Sequence, residues 1–136
     1  MYRMTEISTG KHMIADLYHV RNMERLESLD AIRLLFDRLC DKYHFHILGK
    51  MVHQFEPQGI SVLYMLSESH ISIHTFPEKQ YFALDIYTCR EYSDNSVYLN
   101  MYQEIVKWFN CDYGDGPLIV NRGVAVNTAA SIRSYS

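Results

Sequence analysis

The sequence predicts an α+β fold, a two-layer α/β sandwich in which helices cover one face of a mainly antiparallel sheet. Its 136 residues are enough for a single domain, which we place at residues 1–136. Its apolar segments alternate between short strand-like runs and helix-like runs, giving two helices and about six strands. So few helices cover only one face of a sheet, and we expect the other face to pair with a second copy in a homodimer.

Two segments have the 3.6-residue spacing of amphipathic helices. The first begins after Ser28, a residue type that caps helix N-termini, and continues to about Tyr43. Its apolar face is predicted to contain Leu29, Ile32, Leu35, Phe36 and Leu39. The second is predicted over residues 96–109, and its apolar face contains Val97, Met101, Tyr102, Ile105 and Trp108.

The remaining apolar runs are short and are separated by turn residues, as is typical of strands. The predicted strands cover residues 12–20, 44–55, 60–66, 71–76, 81–89 and 118–126. Proline and glycine predict turns at residues 56–59 and 114–117, and proline predicts another at residues 77–80. A polar break is predicted at residues 67–70.

Composition excludes several classes of protein. A formal net charge of −3 argues against a general nucleic-acid binder, which needs a clustered basic surface. The sequence has no apolar run of bilayer-spanning length and no signal-peptide pattern, so we expect a cytoplasmic protein without membrane contact. The three cysteines, Cys40, Cys89 and Cys111, are too few and too widely spaced for a disulfide framework.

Polar side chains concentrate at residues 67–78, inside otherwise apolar sequence. Ser69 followed by His70 and His74, with acids on both sides, has the composition of a nucleophile with a base. A polar turn followed by a half-exposed strand explains the same pattern, and spacing leaves both interpretations open. On a regular strand Ser69 and His74 point to opposite faces, so a contact between them would require a bend or bulge.

The motifs around this cluster resemble the prokaryotic S-adenosylmethionine decarboxylases, which are pyruvoyl-dependent enzymes of spermidine and polyamine biosynthesis. The similarity covers roughly residues 10–90. Its blocks are Ser-Glu-Ser-His at 67–70, Ile-His-Thr-Phe-Pro-Glu at 73–78 and Asp-Ile-Tyr-Thr-Cys at 85–89. Gly-Lys-His at 10–12 and the segment at 53–61 resemble the corresponding family segments in the same order.

This resemblance implies a proenzyme that cleaves itself. Ser69 would attack the carbonyl of Glu68, and elimination would then separate residues 1–68 from residues 69–136. Ser69 would become a covalent pyruvoyl group, which forms a Schiff base with the substrate amine and accepts electrons during decarboxylation. The implied substrate is S-adenosylmethionine, and the implied product is the aminopropyl donor for spermidine.

The resemblance also assigns roles to individual residues. His74 matches the base used in processing, and Ser61 matches a serine that assists it. Cys89 matches the general acid that protonates the substrate carbon after carbon dioxide leaves. Phe55 matches an aromatic residue that stacks on adenine, and Glu78 matches the acid that holds the ribose hydroxyls.

Three alternatives remain open at this point. Some members of the superfamily act on arginine or ornithine, and a non-enzymatic relative would fold and dimerise without cleaving. A third interpretation is a metal site built from His44, His46, His53, His70 and His74. The sequence also departs from the family at Arg90, where glycine is typical, which changes the charge and shape of the loop after Cys89.

Overall fold

A computed structural model describes residues 9–123, which form one six-stranded antiparallel sheet covered on one face by helices. The strands are β1 (Gly10–Leu17), β2 (Ile47–Gln54), β3 (Ile60–Leu66), β4 (Ser69–Phe76), β5 (Tyr81–Thr88) and β6 (Leu118–Arg122). Their order across the sheet is β2-β3-β4-β5-β1-β6. The helices are α1 (Met23–Leu26), α2 (Leu29–Lys42) and α3 (Ser96–Phe109), and a 3₁₀ turn spans Pro77–Lys79. The predicted fold class is confirmed.

The helices begin where the local sequence supplies a cap. The Ser28 side chain accepts a hydrogen bond from the Ala31 amide at 3.1 Å, which satisfies one of the free N–H groups of the first turn of α2. The apolar side of α2 is buried through Ile32, Leu35, Phe36, Leu39 and Cys40. None of the helices within residues 9–123 is long and apolar enough to cross a membrane.

Strand alternation gives the sheet two different faces. One face packs against the helices and contains the apolar alternate residues, among them Ile71 and Ile73 of β4 and Leu84 and Ile86 of β5. We call the other side the open face. It contains the polar cluster of interest together with exposed apolar side chains, namely Ile14, Leu63, Met65 and Phe76.

Most predicted boundaries are close to the observed ones. The strand over residues 60–66 and the helix over 96–109 match β3 and α3. The four-residue break predicted at 67–70 is wrong, because Ser69 and His70 already pair with β5 and the turn is only two residues long. Helix α1 was not predicted, since four residues are too short for helical periodicity. Residues 124–126 of the last predicted strand lie outside the described residues.

The segments before and after residue 68 are interleaved in the sheet. Strand β1 belongs to the N-terminal segment but pairs with β5 and β6 of the C-terminal segment. Strand β3 likewise pairs with β4 across the Ser67-Glu68 turn. Breaking the chain after Glu68 would therefore leave the two pieces joined by three strand ladders and a shared core.

Candidate active site

The predicted cleavage point lies at the start of β4. Ser69 is the first residue of that strand and pairs with Thr88 near the end of β5. The backbone amide of Cys89 donates a hydrogen bond to the carbonyl oxygen of Glu68 at 3.2 Å. A cavity of about 160 Å³ borders the same peptide and is lined by Phe45, His46, Leu66, Ser67, Glu68, Ser69 and Arg90.

Cys89 follows β5 directly and is half-buried. Its Sγ lies 3.4 Å from the hydroxyl oxygen of Tyr87, two residues earlier on the strand. The other two cysteines are buried, and burial raises the pKa of both the Cys40 and the Cys111 thiols to about 11. Among the three thiols, Cys89 is therefore the one that is not fully buried, and it lies beside the predicted cleavage point.

Arg90, the departure from the family pattern, is turned away from the open face. Its guanidinium donates to the carbonyl oxygen of Tyr43 at 2.6 Å and to that of His44, and lies 4.4 Å from the Phe45 ring centre. These carbonyls terminate α2, where a cation is favourable. Arg90 thus ties the segment after Cys89 to the C-terminal end of α2.

His74 and Ser61 form a contact at the other end of the open face. They are directly opposite each other in the β3–β4 ladder, and Ser61 Oγ lies 2.7 Å from His74 Nδ1. This hydrogen bond occupies Nδ1 and leaves Nε2 as the nitrogen that can exchange a proton. Ser61 and His74, which were each matched to processing, are thus in contact with each other, an arrangement that the sequence did not predict.

The two predicted substrate-binding residues lie at this same end. Phe55 follows β2 and is 50% exposed, with its ring centre 4.5 Å from that of His53. Glu78 lies in the 3₁₀ turn that follows β4 and is exposed. A cavity of about 260 Å³ adjoins Phe55 and is lined by Glu27, Gln54, Glu56, Pro57, Gln58, Gly59 and Ile60.

The structure does not bring the two ends together within one chain. Strand β4 is regular from Ser69 to Phe76, without the bend that a Ser69–His74 contact would require. Five residues of extended strand separate the two side chains by about 16 Å. By alternation Ser69 shares the helix face with Ile71, whereas His74 lies on the open face. One chain therefore presents two separate half-sites.

A further cluster on the open face was not predicted as a unit. His12 and His70 both contact Oδ1 of Asp85, the latter at 3.4 Å from Nε2. Within residues 9–123 these three residues are the grouping whose atoms lie close enough for one metal ion. The predicted metal set is not assembled, since of its five histidines only His70 belongs to this group. Sequence spacing missed the cluster because its members come from β1, β4 and β5.

The fold matches that of a known decarboxylase. The chain is similar to the crystal structure of the adenosylmethionine decarboxylase from Aquifex aeolicus VF5, with a TM-score of 0.72 and 27% identity. The similarity covers 90% of this chain and 97% of that one. The two chains therefore share the fold over nearly their whole lengths.

Sequence comparison defines the family. The family model described as S-adenosylmethionine decarboxylase matches residues 11–113. The S-adenosylmethionine decarboxylase proenzyme 2 of Bacillus cereus is 37% identical over 75% of this chain and 83% of its own. The proenzyme of Clostridium botulinum (strain Loch Maree / Type A3) is 37% identical over 64% and 74%. The chain belongs to the S-adenosylmethionine decarboxylase family, and these names support neither the arginine or ornithine alternative nor the non-enzymatic one.

Proposed function

We propose that this chain cleaves itself between Glu68 and Ser69 and then decarboxylates S-adenosylmethionine, supplying the aminopropyl donor for polyamine synthesis. The observation that carries the proposal is the placement of Ser69, the Glu68 carbonyl and Cys89 at one sheet end. Family membership and the proenzyme names of the relatives support the same conclusion.

The cleavage begins at a carbonyl that already accepts a hydrogen bond. The Ser69 oxygen adds to the Glu68 carbonyl carbon, its proton passes to the peptide nitrogen, and the C–N bond breaks, so that an ester and a free Ser69 amine replace the amide. The Cys89 amide donates to the Glu68 oxygen, so it stabilises the negative charge that develops there during the attack. A base then removes the α-proton of Ser69, and the Cβ–Oγ bond breaks, which releases residues 1–68 as a carboxylate. Water hydrolyses the dehydroalanine that remains at residue 69 to the pyruvoyl group and ammonia.

That base is His74, and we propose that a second copy provides it. A chain's own His74 is about 16 Å away along β4 and cannot reach Ser69. Two open faces packed in antiparallel orientation would place the His74 end of one copy over the sheet end at which Ser69 begins β4 of the other. The Ser69 side chain points to the helix face, so the base would act at the backbone α-carbon at that strand end. The exposed apolar side chains of the open face, Ile14, Leu63, Met65 and Phe76, support burial against such a partner.

The residues present fit the pyruvoyl group that the family implies. The new N-terminus of the C-terminal piece would carry the group, and a half-buried thiol lies beside it at Cys89. A pyruvoyl group supplies an electron sink for decarboxylation, which no ordinary side chain offers. The chain's own contribution is to hold that end of β4 in the sheet and to deliver a proton from Cys89 to the substrate carbon.

Substrate recognition is assigned to Phe55 and Glu78. Phe55 is half-exposed beside a cavity, so its ring face is available for stacking on adenine. The Glu78 carboxylate is exposed and can accept two hydrogen bonds from vicinal ribose hydroxyls. Both lie at the His74 end, so in the proposed dimer they would bind the substrate that reacts at the partner's Ser69 end.

Intact-mass measurement of the purified protein tests this proposal. We expect two fragments divided after Glu68, the second blocked to N-terminal sequencing, which co-purify because β1 and β3 hold the C-terminal strands. A single full-length mass after prolonged incubation would contradict self-cleavage. A cytoplasmic location and the absence of nucleic-acid partners remain predictions.

A further inference from the structure

Tyr87 lies inside the open-face cluster, and the steps proposed above leave it without a role. The His12 ring packs edge-on against it and the His70 ring lies tilted beside it, each with its centre 5.8 Å from the Tyr87 ring centre. The Arg122 guanidinium lies 5.7 Å from the same centre. Contacts from β1, β4 and β6 therefore hold a tyrosine that belongs to β5.

Hydrogen bonds fix the groups that surround this ring. Arg122 Nη1 donates to His12 Nδ1 at 2.9 Å, so a neutral His12 carries its proton on Nε2. That Nε2–H faces the Asp85 carboxylate, which also lies 3.4 Å from His70 Nε2. Since the His12 nitrogen facing Asp85 is a donor, the cluster is a hydrogen-bonded support and not a set of free metal ligands.

The Tyr87 ring, held by these contacts, brings its hydroxyl within hydrogen-bonding distance of the Cys89 thiol. Tyr87 lies near the end of β5 and Cys89 directly follows the strand, and Tyr87 Oη and Cys89 Sγ are 3.4 Å apart. Gly10 leaves room for this contact, because a Cβ there would lie 3.0 Å from the Tyr87 hydroxyl. The hydrogen bond with Cys89, followed by burial, raises the pKa of Tyr87, so the phenol keeps its proton at neutral pH.

We infer that Tyr87 is the positioning residue for the Cys89 thiol, an inference that rests on the proposed function. The S–H bond breaks as the proton passes to the carbon that lost carbon dioxide, whose electron pair forms the new C–H bond. The electron pair of the S–H bond stays on sulfur as a thiolate. The Tyr87 hydroxyl then donates to that thiolate, and water returns the proton to sulfur.

Other ionisable groups surround Cys89 but have partners elsewhere. On β1, Lys11 donates to Asn95 at 2.5 Å, and Tyr98 of α3 shares a hydrogen bond with Thr88 at 2.6 Å. Arg90 is bound to the end of α2, and Arg122 lies over the Tyr87 ring. Glu68 presents its backbone carbonyl to the Cys89 amide. Of these groups, the Tyr87 hydroxyl is the one that hydrogen-bonds to the thiol.

Alkylation of Cys89 tests the contact directly. Full-length protein is treated with iodoacetamide at one fixed pH, and the modified Cys89 peptide is quantified by mass spectrometry over time. We expect Tyr87→Phe to slow the alkylation time course by about fivefold, because the thiolate that attacks the reagent loses its hydroxyl donor while the ring remains. The matched control is Tyr64→Phe, which loses a hydroxyl bonded to Asp37 at 2.7 Å on the helix face. That control should keep the parent time course.

The alkylation time course can be read whether or not the chain cleaves itself, so its result is independent of the proposed function. Superposable time courses for Tyr87→Phe and the parent would overturn the inference. The second measurement determines the mass of the C-terminal fragment by mass spectrometry after turnover with S-adenosylmethionine. We expect Tyr87→Phe to convert more of its pyruvoyl end to alanine per turnover than Tyr64→Phe, because the proton is delivered less accurately. Equal conversion would overturn the positioning role in catalysis even if alkylation slowed.

Discussion

The two ends of the open face differ in how complete they are. At the Ser69 end, Cys89 is half-buried, its amide is bonded to Glu68, and Tyr87 is held by contacts from three other strands. At the opposite end, His74 and Glu78 are exposed, and the hydrogen bond between Ser61 and His74 is exposed to solvent. One end is supported by its own chain, whereas the other lacks a covering surface in the single chain.

The proposed roles require the two ends to come together from two copies of the chain. His74, the proposed base, lies at the far end of the strand that begins with Ser69. It can act on Ser69 only if a second copy of the chain supplies it. Each end also contains one residue assigned to cleavage and one assigned to turnover: Ser69 and Cys89 at the first, His74 and Glu78 at the second. Substitutions at the four positions therefore separate maturation from catalysis at each end.

The largest expected effect is that of Ser69→Ala. Alanine has no hydroxyl to attack the Glu68 carbonyl, so the variant should remain one full-length band on a denaturing gel. The parent should give two bands of nearly equal size. Ser72→Ala, three residues further along β4, is the matched control and should cleave normally. Two bands from Ser69→Ala would eliminate the ester mechanism.

His74→Ala should also block maturation, but at a later step. The ester between residues 68 and 69 can still form, and the missing base slows its elimination by about 10²–10⁴-fold. Hydroxylamine should therefore cleave the accumulated ester, which it cannot do in Ser69→Ala. Normal spontaneous cleavage of His74→Ala would mean that a different group removes the proton.

Cys89→Ala should mature and then turn over slowly. The backbone amide that donates to Glu68 remains, so self-cleavage should be largely preserved. Loss of a positioned general acid typically lowers kcat by about 10²–10⁴-fold. Carbon dioxide release reports the rate, and the mass of the C-terminal fragment should show conversion of its pyruvoyl end to alanine. A parent-like kcat together with an unchanged mass of the C-terminal fragment would mean that Cys89 only packs in the structure and is not the proton donor.

The smallest expected effect is that of Glu78→Gln. The variant should cleave itself normally and raise KM for S-adenosylmethionine by about ten- to a hundredfold, because hydrogen bonds to a charged acceptor are lost. Glu24→Gln removes the same charge from exposed α1 and is the control. An unchanged KM in Glu78→Gln would show that the ribose hydroxyls are held elsewhere.

Sequence was sufficient for most of the helices and strands, whereas the arrangement of the proposed site residues required the structure. The helix beginning after Ser28 followed from its cap and its periodic apolar residues, both of which are local. The contact between Ser61 and His74 depends on the register of two strands, which only the structure shows. The Tyr87 cluster depends on four strands and could not be predicted from spacing within one segment.

The opposite faces of Ser69 and His74 did follow from strand alternation alone. The sequence left a bend or bulge as the way for them to meet, and the regular β4 excludes that route in the single chain. Helix α1 was missed for a different reason, because its four residues are held by the Asn22 cap and by neighbouring segments more than by a periodic pattern.

Complementation between two inactive variants tests most directly whether each active site combines two copies of the chain. Ser69→Ala and His74→Ala chains with different tags are co-expressed, and cleavage of the His74→Ala chain is followed on a denaturing gel. In a mixed dimer that chain keeps Ser69 and receives His74 from its partner, so random pairing should allow about half of these chains to cleave. Neither variant should cleave alone. If the His74→Ala chain stays intact in the mixture although mixed dimers are recovered through both tags, the shared site is contradicted.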